Sequence, residues 1–349
     1  MKYAINGRFV VRKLTGQERF ATELLRELDK ICDKDEFVIV VPEYAETLPD
    51  YKNIKIVKYG KVKSHFWEQI SLYRYCKKHH LVSVNLTSTC PLLDSGIVCC
   101  HDAAPYEIHD LLTQNLYGKL SQVWHMWMID AVKRSKYPII TVSHYSKARL
   151  AKFMHVPEAR FHVISNAWQH YQRVKEDDSI FDKLPKGYRR GDYFMALSSL
   201  SPQKNFVWVK EVAKRNPNKK FLIVGRAEGF TKFGADDLQV SNLHFTGYLT
   251  DGEIKSLMKR CRAFIHPAVY EGFGIPPIEA LSCGAELIVS TAACLPEVYG
   301  KSAHYIDPHN YDVDLDELLK EPIAPASEVL DKYSWAREAG KLLKLLREN

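Results

Sequence analysis

Short runs of apolar and β-branched residues recur along the first half of the chain, and between several of them apolar positions return every three or four residues. Such runs predict buried strands, and the intervening period predicts helices. Strands that alternate with helices form parallel sheets covered on both faces. The predicted strands of this doubly wound α/β domain are Tyr3–Ile5, Phe37–Val41, Ile54–Tyr59, Leu81–Leu86, Ile97–Cys100, Ile139–Val142 and Phe161–Ile164.

The same alternation restarts after a polar, weakly patterned stretch at Gln172–Gly191. A chain of 349 residues is also long for a single hydrophobic core. We therefore predict a first domain at residues 1–170, a linker at 171–190 and a second doubly wound domain at 191–328. The strands predicted for the second domain are Tyr193–Leu197, Phe221–Val224, Leu243–Phe245, Ala263–His266, Leu287–Val289 and His304–Ile306.

The last segment has apolar residues at near-helical spacing, which predicts an amphipathic helix. We expect this helix, residues 329–349, to cross back onto the first domain. The apolar positions are Leu330, Trp335, Ala339, Leu342, Leu343 and Leu346.

The composition, 46% hydrophobic and 26% charged, is that of a globular protein, and no segment approaches the roughly 18 apolar residues of a membrane span. We therefore expect a cytoplasmic protein. Its eight cysteines form no Cys-x-x-Cys pair and have no histidines at zinc-finger spacing, so we expect neither a disulfide framework nor a structural metal.

The formal net charge of +7 comes entirely from the first half of the chain. Residues 1–170 hold 24 Lys and Arg against 17 Asp and Glu, whereas residues 171–349 hold 25 of each. A lysine-rich segment followed by aromatic residues is part of this excess. It either meets an anionic membrane or a diphosphate-bearing acceptor, or is a solvated edge strand. The candidate residues are Lys55, Lys58, Lys61, Lys63 and Trp67.

Residues suited to binding anions and hydroxyl groups occur at three junctions between a predicted strand and the helix that follows it. Gly16 follows Thr15 in a capping-box pattern with Glu18, so an anion could approach the first turn of that helix. Lys204 lies at another helix start, where it opposes the helix dipole unless an anion is bound. An exposed lysine is the alternative there.

The third junction runs from His266 to Ala280 and is the most specific. Glu271 and Glu279 flank a glycine-rich turn, Gly272-Phe273-Gly274-Ile275, that is followed by prolines suited to a helix start. A carboxylate that accepts two vicinal hydroxyl groups suits a ribose or a hexose.

The segment from Glu271 to Glu279 resembles the E-x7-E signature of the retaining glycosyltransferases of family 4, which have the two-domain GT-B fold. Nearly the whole chain follows this family's pattern, and it is most similar to bacterial mannosyl- and rhamnosyltransferases of surface-polysaccharide synthesis. The other matching segments are Thr15–Arg19, His101–Pro105, Thr141–Ser143, Val163–Asn166, Pro202–Asn205, Leu295–Val298 and Ser334–Trp335.

The resemblance implies two Rossmann-like domains that face a cleft and transfer a hexose with retention of anomeric configuration. The donor would be a nucleoside-diphosphate sugar, and the acceptor a saccharide or a polyprenyl-diphosphate-linked saccharide. It implies no metal cofactor and no nucleic-acid partner, and it allows peripheral binding to the inner face of the cell membrane. Asp312-x-Asp314 imitates a metal-binding motif, but we interpret it as the acidic start of a helix.

The resemblance also assigns residues. His101, Glu271 and Lys204 are the catalytic candidates, and Lys204 becomes the principal cation because Gln203 and Ser198 stand where the family often has Arg. The donor-binding candidates are Gly16, Ser198, Lys204, Asn205, Gly272, Phe273, Gly274, Ile275 and Glu279.

Two other classes of function stay open on the sequence alone. One is a different enzyme of the same architecture, such as a sugar-nucleotide epimerase or a phosphorylase. The other is a non-catalytic protein that binds nucleotide sugars. The sequence does not identify the donor base, the sugar, the acceptor or the oligomeric state.

Overall fold

The computed structural model describes residues 2–113, 116–189, 191–197, 201–225 and 240–349. It divides into two compact units. Unit 1 comprises Met1–Asn166 and Ser334–Asn349, and unit 2 comprises Ala167–Tyr333. Each unit is built around its own parallel sheet.

Within the described residues, unit 1 holds a seven-stranded sheet in the order β3-β2-β1-β4-β5-β6-β7. Its strands are β1 (Tyr3–Asn6), β2 (Phe37–Val41), β3 (Lys55–Lys58), β4 (Val82–Asn85), β5 (Ile97–Cys99), β6 (Ile139–Thr141) and β7 (Phe161–Val163). Its helices include α1 (Gly16–Ile31), α2 (Tyr73–His79), α3 (Ala104–Glu107), α4 (His109–Leu112), α5 (Leu116–Arg134) and α6 (His144–Met154).

Unit 2 holds a six-stranded sheet in the order β10-β9-β8-β11-β12-β13 among its described residues. The strands are β8 (Tyr193–Leu197), β9 (Lys220–Val224), β10 (Leu243–Phe245), β11 (Ala263–His266), β12 (Glu286–Ser290) and β13 (His304–Ile306). Its helices include α7 (Ile180–Lys183), α8 (Phe206–Arg215), α9 (Asp251–Arg260), α10 (Ile275–Ser282), α11 (Leu295–Tyr299), α12 (Leu315–Leu318) and α13 (Ser327–Leu330).

Helix α14 (Trp335–Glu348) returns to unit 1. Short 3-10 helices occupy Arg8–Val11, Glu158–Arg160, Gln169–Arg173 and Pro202–Lys204, and a π-helix occupies Glu68–Leu72.

Helix α14 packs along α1 in unit 1. The Phe20 ring of α1 meets the Trp335 ring of α14 edge to face, with the ring centroids 6.1 Å apart. Leu342 and Leu346 of α14 are buried, as are Leu24 and Leu28 of α1. The predicted return of the C-terminal helix to the first domain is therefore confirmed, and the helix begins at Trp335.

The predicted fold class, two doubly wound parallel α/β domains, is also confirmed. The boundary between the units lies at Asn166, and residues 171–190, which we predicted to be a linker, belong to unit 2. Tyr171 and Ile180 are buried there. Polar composition marked this stretch as a linker although two of its apolar side chains complete the packing of unit 2.

We expect Leu342→Ala to lower the free energy of unfolding by about 2–5 kcal/mol, because it removes a fully buried side chain between α14 and the rest of unit 1. Urea titration would measure this loss. Lys344→Ala, on the exposed side of the same helix, is the matched control and should change stability by less than about 0.5 kcal/mol. Equal effects of the two substitutions would contradict the packing of α14.

Candidate active site

The sheet of unit 2 changes winding direction between β8 and β11, which are neighbours in space but not in sequence. Ligands of open parallel sheets bind at this point, beyond the carboxyl ends of the strands. The chain leaves β8 toward Lys204 and leaves β11 toward Glu271. The two loops are joined by a hydrogen bond from the Val269 N–H to the Gln203 carbonyl, 2.8 Å long.

Glu271 lies between two basic side chains. Its Oε1 accepts a hydrogen bond from Lys204 Nζ and lies 2.8 Å from His266 Nε2. Burial opposes ionisation of this carboxyl, but the Lys204 charge and the His266 hydrogen bond outweigh burial and lower the pKa of Glu271 to about 2. Glu271 is therefore ionised at neutral pH. The structure brings two of the predicted catalytic residues, Lys204 and Glu271, into contact.

Glu279 lies one turn into α10 and is nearly buried. Its Oε1 lies 2.7 Å from Nε2 of His170, a buried residue of the 3-10 helix Gln169–Arg173. His170 was not among the residues predicted for the site. The two residues are 109 positions apart, and a lone histidine beside a predicted linker gives no signal of this contact.

The turn between the two glutamates has its backbone in an unusual conformation. Gly274 caps α10 with a φ of 84°, and a Cβ there would lie 3.0 Å from Leu295 Cδ2. The Tyr299 hydroxyl group donates a hydrogen bond to the Gly274 carbonyl. Phe273 is buried with its ring edge to face against Tyr333. A ligand at this turn would therefore meet backbone groups and not the Phe273 side chain.

Asn205 has a structural task in unit 2. Its backbone is left-handed, with a φ of 54°, and its side-chain amide donates to the carbonyls of Pro267, at 3.0 Å, and Pro308, at 2.8 Å. The side-chain amide thus ties together the loops that follow β8, β11 and β13. Its predicted contact with a donor stays a prediction, and the predicted donor residue Ser198 lies outside the described residues.

In unit 1, Gly16 opens α1 and is exposed. The Glu18 carboxylate accepts the Thr15 N–H at 3.2 Å, as the capping-box pattern predicted. Glu18 also lies 3.0 Å from Arg12. The Arg12 charge offsets that of Glu18, which would otherwise oppose an anion at this helix start.

His101 follows β5 and packs against α1. Its ring meets the Phe20 ring edge to face at 5.0 Å, and its Nε2 lies 2.9 Å from the Leu86 carbonyl. Burial lowers the pKa of His101 to about 4, so the imidazole is neutral at pH 7. Because a carbonyl only accepts, Nε2 carries the hydrogen and Nδ1 keeps the lone pair.

Both halves of the chain match known family models. The model described as "Glycosyltransferase Family 4" matches residues 14–168, and the model described as "Glycosyl transferases group 1" matches residues 181–331. The two matches are consecutive and leave out only the ends of the chain and a short segment between them.

The chain belongs to glycosyltransferase family 4.

Two curated relatives of this family 4 chain are named O-antigen chain mannosyltransferases. It is 29% identical over 239 residues to the O-antigen chain mannosyltransferase RfbU of Salmonella typhimurium, covering 67% of this chain and 60% of that protein. It is 39% identical over 195 residues to O-antigen chain mannosyltransferase B of Escherichia coli, covering 52% of this chain and 50% of that protein. This chain thus spans about half to three fifths of the length of these relatives.

A solved structure shares the fold along the whole chain. The Anabaena protein HepE, in complex with UDP and glucose, superposes with a TM-score of 0.71 at 14% identity, covering 100% of both chains. At this identity the similarity supports the two-unit Rossmann-like fold.

Trp67, which we predicted to lie at the surface, lies in the core. Trp67 is fully buried in a cluster with Val38 and Val40, and its Nε1 donates to the Tyr59 carbonyl at 2.8 Å. It therefore cannot insert into a membrane in the folded protein. Lys55 and Lys58 lie exposed on β3, which is the edge strand of its sheet, as the edge-strand alternative predicted.

Asp314 of the Asp-x-Asp sequence caps α12. Its Oδ1 accepts the backbone N–H groups of Asp316, at 2.9 Å, and Glu317, at 3.1 Å. Its role at a helix start is therefore as predicted. Within the described residues, no helix combines the length and the apolar character needed to cross a bilayer.

Because His101 is neutral in the folded protein, the stability of the protein should depend on pH. Below pH 6.5 the His101 side chain is protonated in the unfolded chain, while in the folded protein it stays neutral down to about pH 4. The free energy of unfolding therefore decreases as the pH falls through that window. We expect His101 to lower the free energy of unfolding by about 2 kcal/mol between pH 7 and pH 4.5.

Urea titrations at both pH values would show this loss in the wild type and a smaller one in His101→Asn. His80→Asn is the control, because His80 is an exposed histidine of the same unit with a left-handed backbone that Asn tolerates. An identical pH dependence in wild type and His101→Asn would contradict the assignment.

Proposed function

We propose that this family 4 enzyme transfers a hexose, mannose in the first place, from a nucleoside-diphosphate sugar to a saccharide acceptor in surface-polysaccharide synthesis. The observation that carries the proposal is the cluster of Lys204, Glu271 and His266 at the switch point of the unit 2 sheet. The names of the curated mannosyltransferases support the choice of sugar and pathway.

The diphosphate of the donor is assigned to Lys204. Negative charge grows on the leaving diphosphate as the glycosidic bond breaks, and fixed positive groups must stabilise it. The Lys204 side chain is about one quarter exposed, so it is accessible while it contacts Glu271. The backbone N–H groups at the start of α10 and the positive end of its dipole supply further stabilisation. On this proposal no metal ion is needed.

The sugar and the ribose are assigned to the two glutamates. Glu271 is ionised and accepts hydrogen bonds only, which suits the hydroxyl groups of a hexose. Glu279 is held by His170 on one oxygen, and the ribose hydroxyl groups are its proposed ligands. The turn Gly272–Ile275 would contribute backbone groups to the same ligand.

From unit 1 we assign His101 and Gly16 to the donor. A neutral imidazole accepts a hydroxyl hydrogen at Nδ1 and does not repel the positive charge that develops on the sugar. The acceptor hydroxyl would then attack from the face that the leaving group vacates, giving retention. The proposed acceptors are a saccharide and its polyprenyl-diphosphate-linked form.

The function is tested by incubating the purified chain with GDP-, UDP- and dTDP-sugars, with and without saccharide and lipid-linked acceptors. We expect acceptor-dependent product, an anomeric configuration equal to that of the donor by NMR, and unchanged turnover in excess EDTA.

Each alternative has its own signature in this assay. Conversion of the donor without an acceptor would favour an epimerase, and dependence on phosphate would favour a phosphorylase. Binding without turnover would favour a non-catalytic protein. Turnover lost in EDTA and restored by Mg²⁺ or Mn²⁺ would overturn the metal-free mechanism.

Substitutions of Lys204 and Glu271 should weaken the binding of different ligands. Lys204→Met should weaken binding of the nucleoside diphosphate and of the nucleotide sugar by about tenfold or more, because a charged hydrogen bond is lost. Glu271→Gln should weaken only the nucleotide sugar, because Gln removes the carboxylate proposed to hold the hexose and leaves Lys204 unpaired. Isothermal titration calorimetry measures both ligands.

Two further variants control this comparison. Lys204→Met combined with Glu271→Gln removes both charges of the buried pair, so a loss of diphosphate affinity in this variant is not caused by a lone buried carboxylate. Lys214→Met, which breaks the ion pair with Glu211 on α8, should change neither affinity. Unchanged diphosphate affinity in both Lys204 variants would remove Lys204 from the site.

A further inference from the structure

Helix α5 has apolar side chains on two opposite faces. One face is part of the core of unit 1, where Met128, Ile129 and Val132 are buried. The other face is exposed: Leu116 is 73% exposed, Leu120 63%, Val123 48% and Trp127 56%. The steps of four, three and four residues place these four side chains in one row along the helix. We call this row the α5 stripe.

Basic residues lie beside the α5 stripe. Lys119 is exposed on α5 itself. The loop that carries the exposed Lys61 and Lys63 reaches α5 through His65, whose ring lies 5.4 Å from the Trp124 ring. Phe66, next to His65, is 66% exposed.

Unit 1 as a whole is positively charged, like the residues beside the α5 stripe. The sequence of unit 1 contains 28 Lys and Arg against 19 Asp and Glu. The C-terminal end of the stripe is closed by the exposed ion pair of Arg134 with Asp130, at 3.1 Å. The stripe is thus an apolar row in a positively charged unit.

We propose that the α5 stripe and its neighbouring lysines dock unit 1 onto an anionic lipid bilayer, with Leu116, Leu120, Val123 and Trp127 entering the headgroup region. A row of Leu, Val and Trp beside lysines is the pattern of a helix that lies in a membrane interface. This surface keeps Lys61 and Lys63 of the one expected from the sequence and replaces its other members, because Trp67 is buried and Lys58 Nζ donates to the Ala45 carbonyl at 2.7 Å.

A bilayer fits these residues better than a second copy of the chain. A two-fold dimer through the stripe would gather Lys61, Lys63 and Lys119 of both copies around one contact, and these like charges would repel. The stripe is also only about 16 Å long, at 1.5 Å per helical residue. A stable dimer buries about 800 Å² per partner, which is more than one short row of four side chains supplies.

The test is sedimentation of the full chain with vesicles of phosphatidylcholine alone or mixed with phosphatidylglycerol. The wild type should bind the anionic vesicles, and binding should weaken as salt rises. Leu120→Ser with Trp127→Ser should lower the partition coefficient about tenfold or more at every salt concentration, because it removes apolar insertion. Lys61→Gln, Lys63→Gln and Lys119→Gln together should lower it mainly at low salt.

Matched controls come from unit 2. Val207→Ser replaces a side chain that is 43% exposed, and Lys186→Gln with Lys301→Gln and Lys320→Gln removes three exposed lysines. Neither control should reduce vesicle binding. All replaced positions are exposed, so thermal melting should be nearly unchanged. Calorimetric donor affinity should also be unchanged, which separates failure of this proposal from failure of the proposed function.

Three outcomes would overturn the proposal. Equal vesicle binding by the stripe variant and the wild type would exclude the stripe. A loss of binding that is the same in the unit 2 controls would show non-specific adsorption. A dimer seen by sedimentation velocity without vesicles, and abolished by the stripe variant, would assign the stripe to a second copy of this chain.

Discussion

A parallel sheet covered by helices on both faces leaves little room for charged side chains in the middle of its buried strands, and this constraint organises both units. Strand β2 is buried at all five positions, and β11 at all four. The charged groups of the candidate site therefore lie in the loops that follow the strands. Lys204, Glu271 and His101 all follow the carboxyl ends of strands for this reason, and α14 buries its apolar side chains in unit 1, where it packs along α1.

At the carboxyl edge of the unit 2 sheet, burial makes the pairing of charges obligatory. Glu271 is almost buried, and an ionised carboxylate there is tolerated because Lys204 and His266 both contact it. Such a pair is weak evidence for stability, since removing both charges together often costs little. The ion pair with Glu271 holds the Lys204 side chain in position before a ligand arrives. A diphosphate that binds Lys204 would have to compete with Glu271, and the loss of this ion pair would oppose binding.

The strands were predictable because β-branched apolar runs have few alternatives, and the motif at Glu271–Glu279 was predictable because its spacing is specific. Contacts between distant segments were not. His170 reaches Glu279 from 109 residues away, and no local pattern reports that. Trp67 was placed on the surface because lysines precede it, although it completes the core beside Val38 and Val40. A sequence shows that a segment is amphipathic, but which side chains find a partner depends on packing.

Helix α5 shows this limit most clearly, because its sequence is apolar on both faces and only the fold reveals which face is covered. The distribution of charge indicates what kind of partner would bind the exposed face of α5. Unit 1 has nine more basic than acidic residues, while unit 2 has 21 basic and 23 acidic residues and thus no diffuse attraction for an anionic donor. On the proposed function, recognition of a diphosphate in unit 2 is local, through Lys204 and helix termini. The excess positive charge belongs to unit 1, the unit that carries the proposed docking surface, and its field would attract an extended anionic surface.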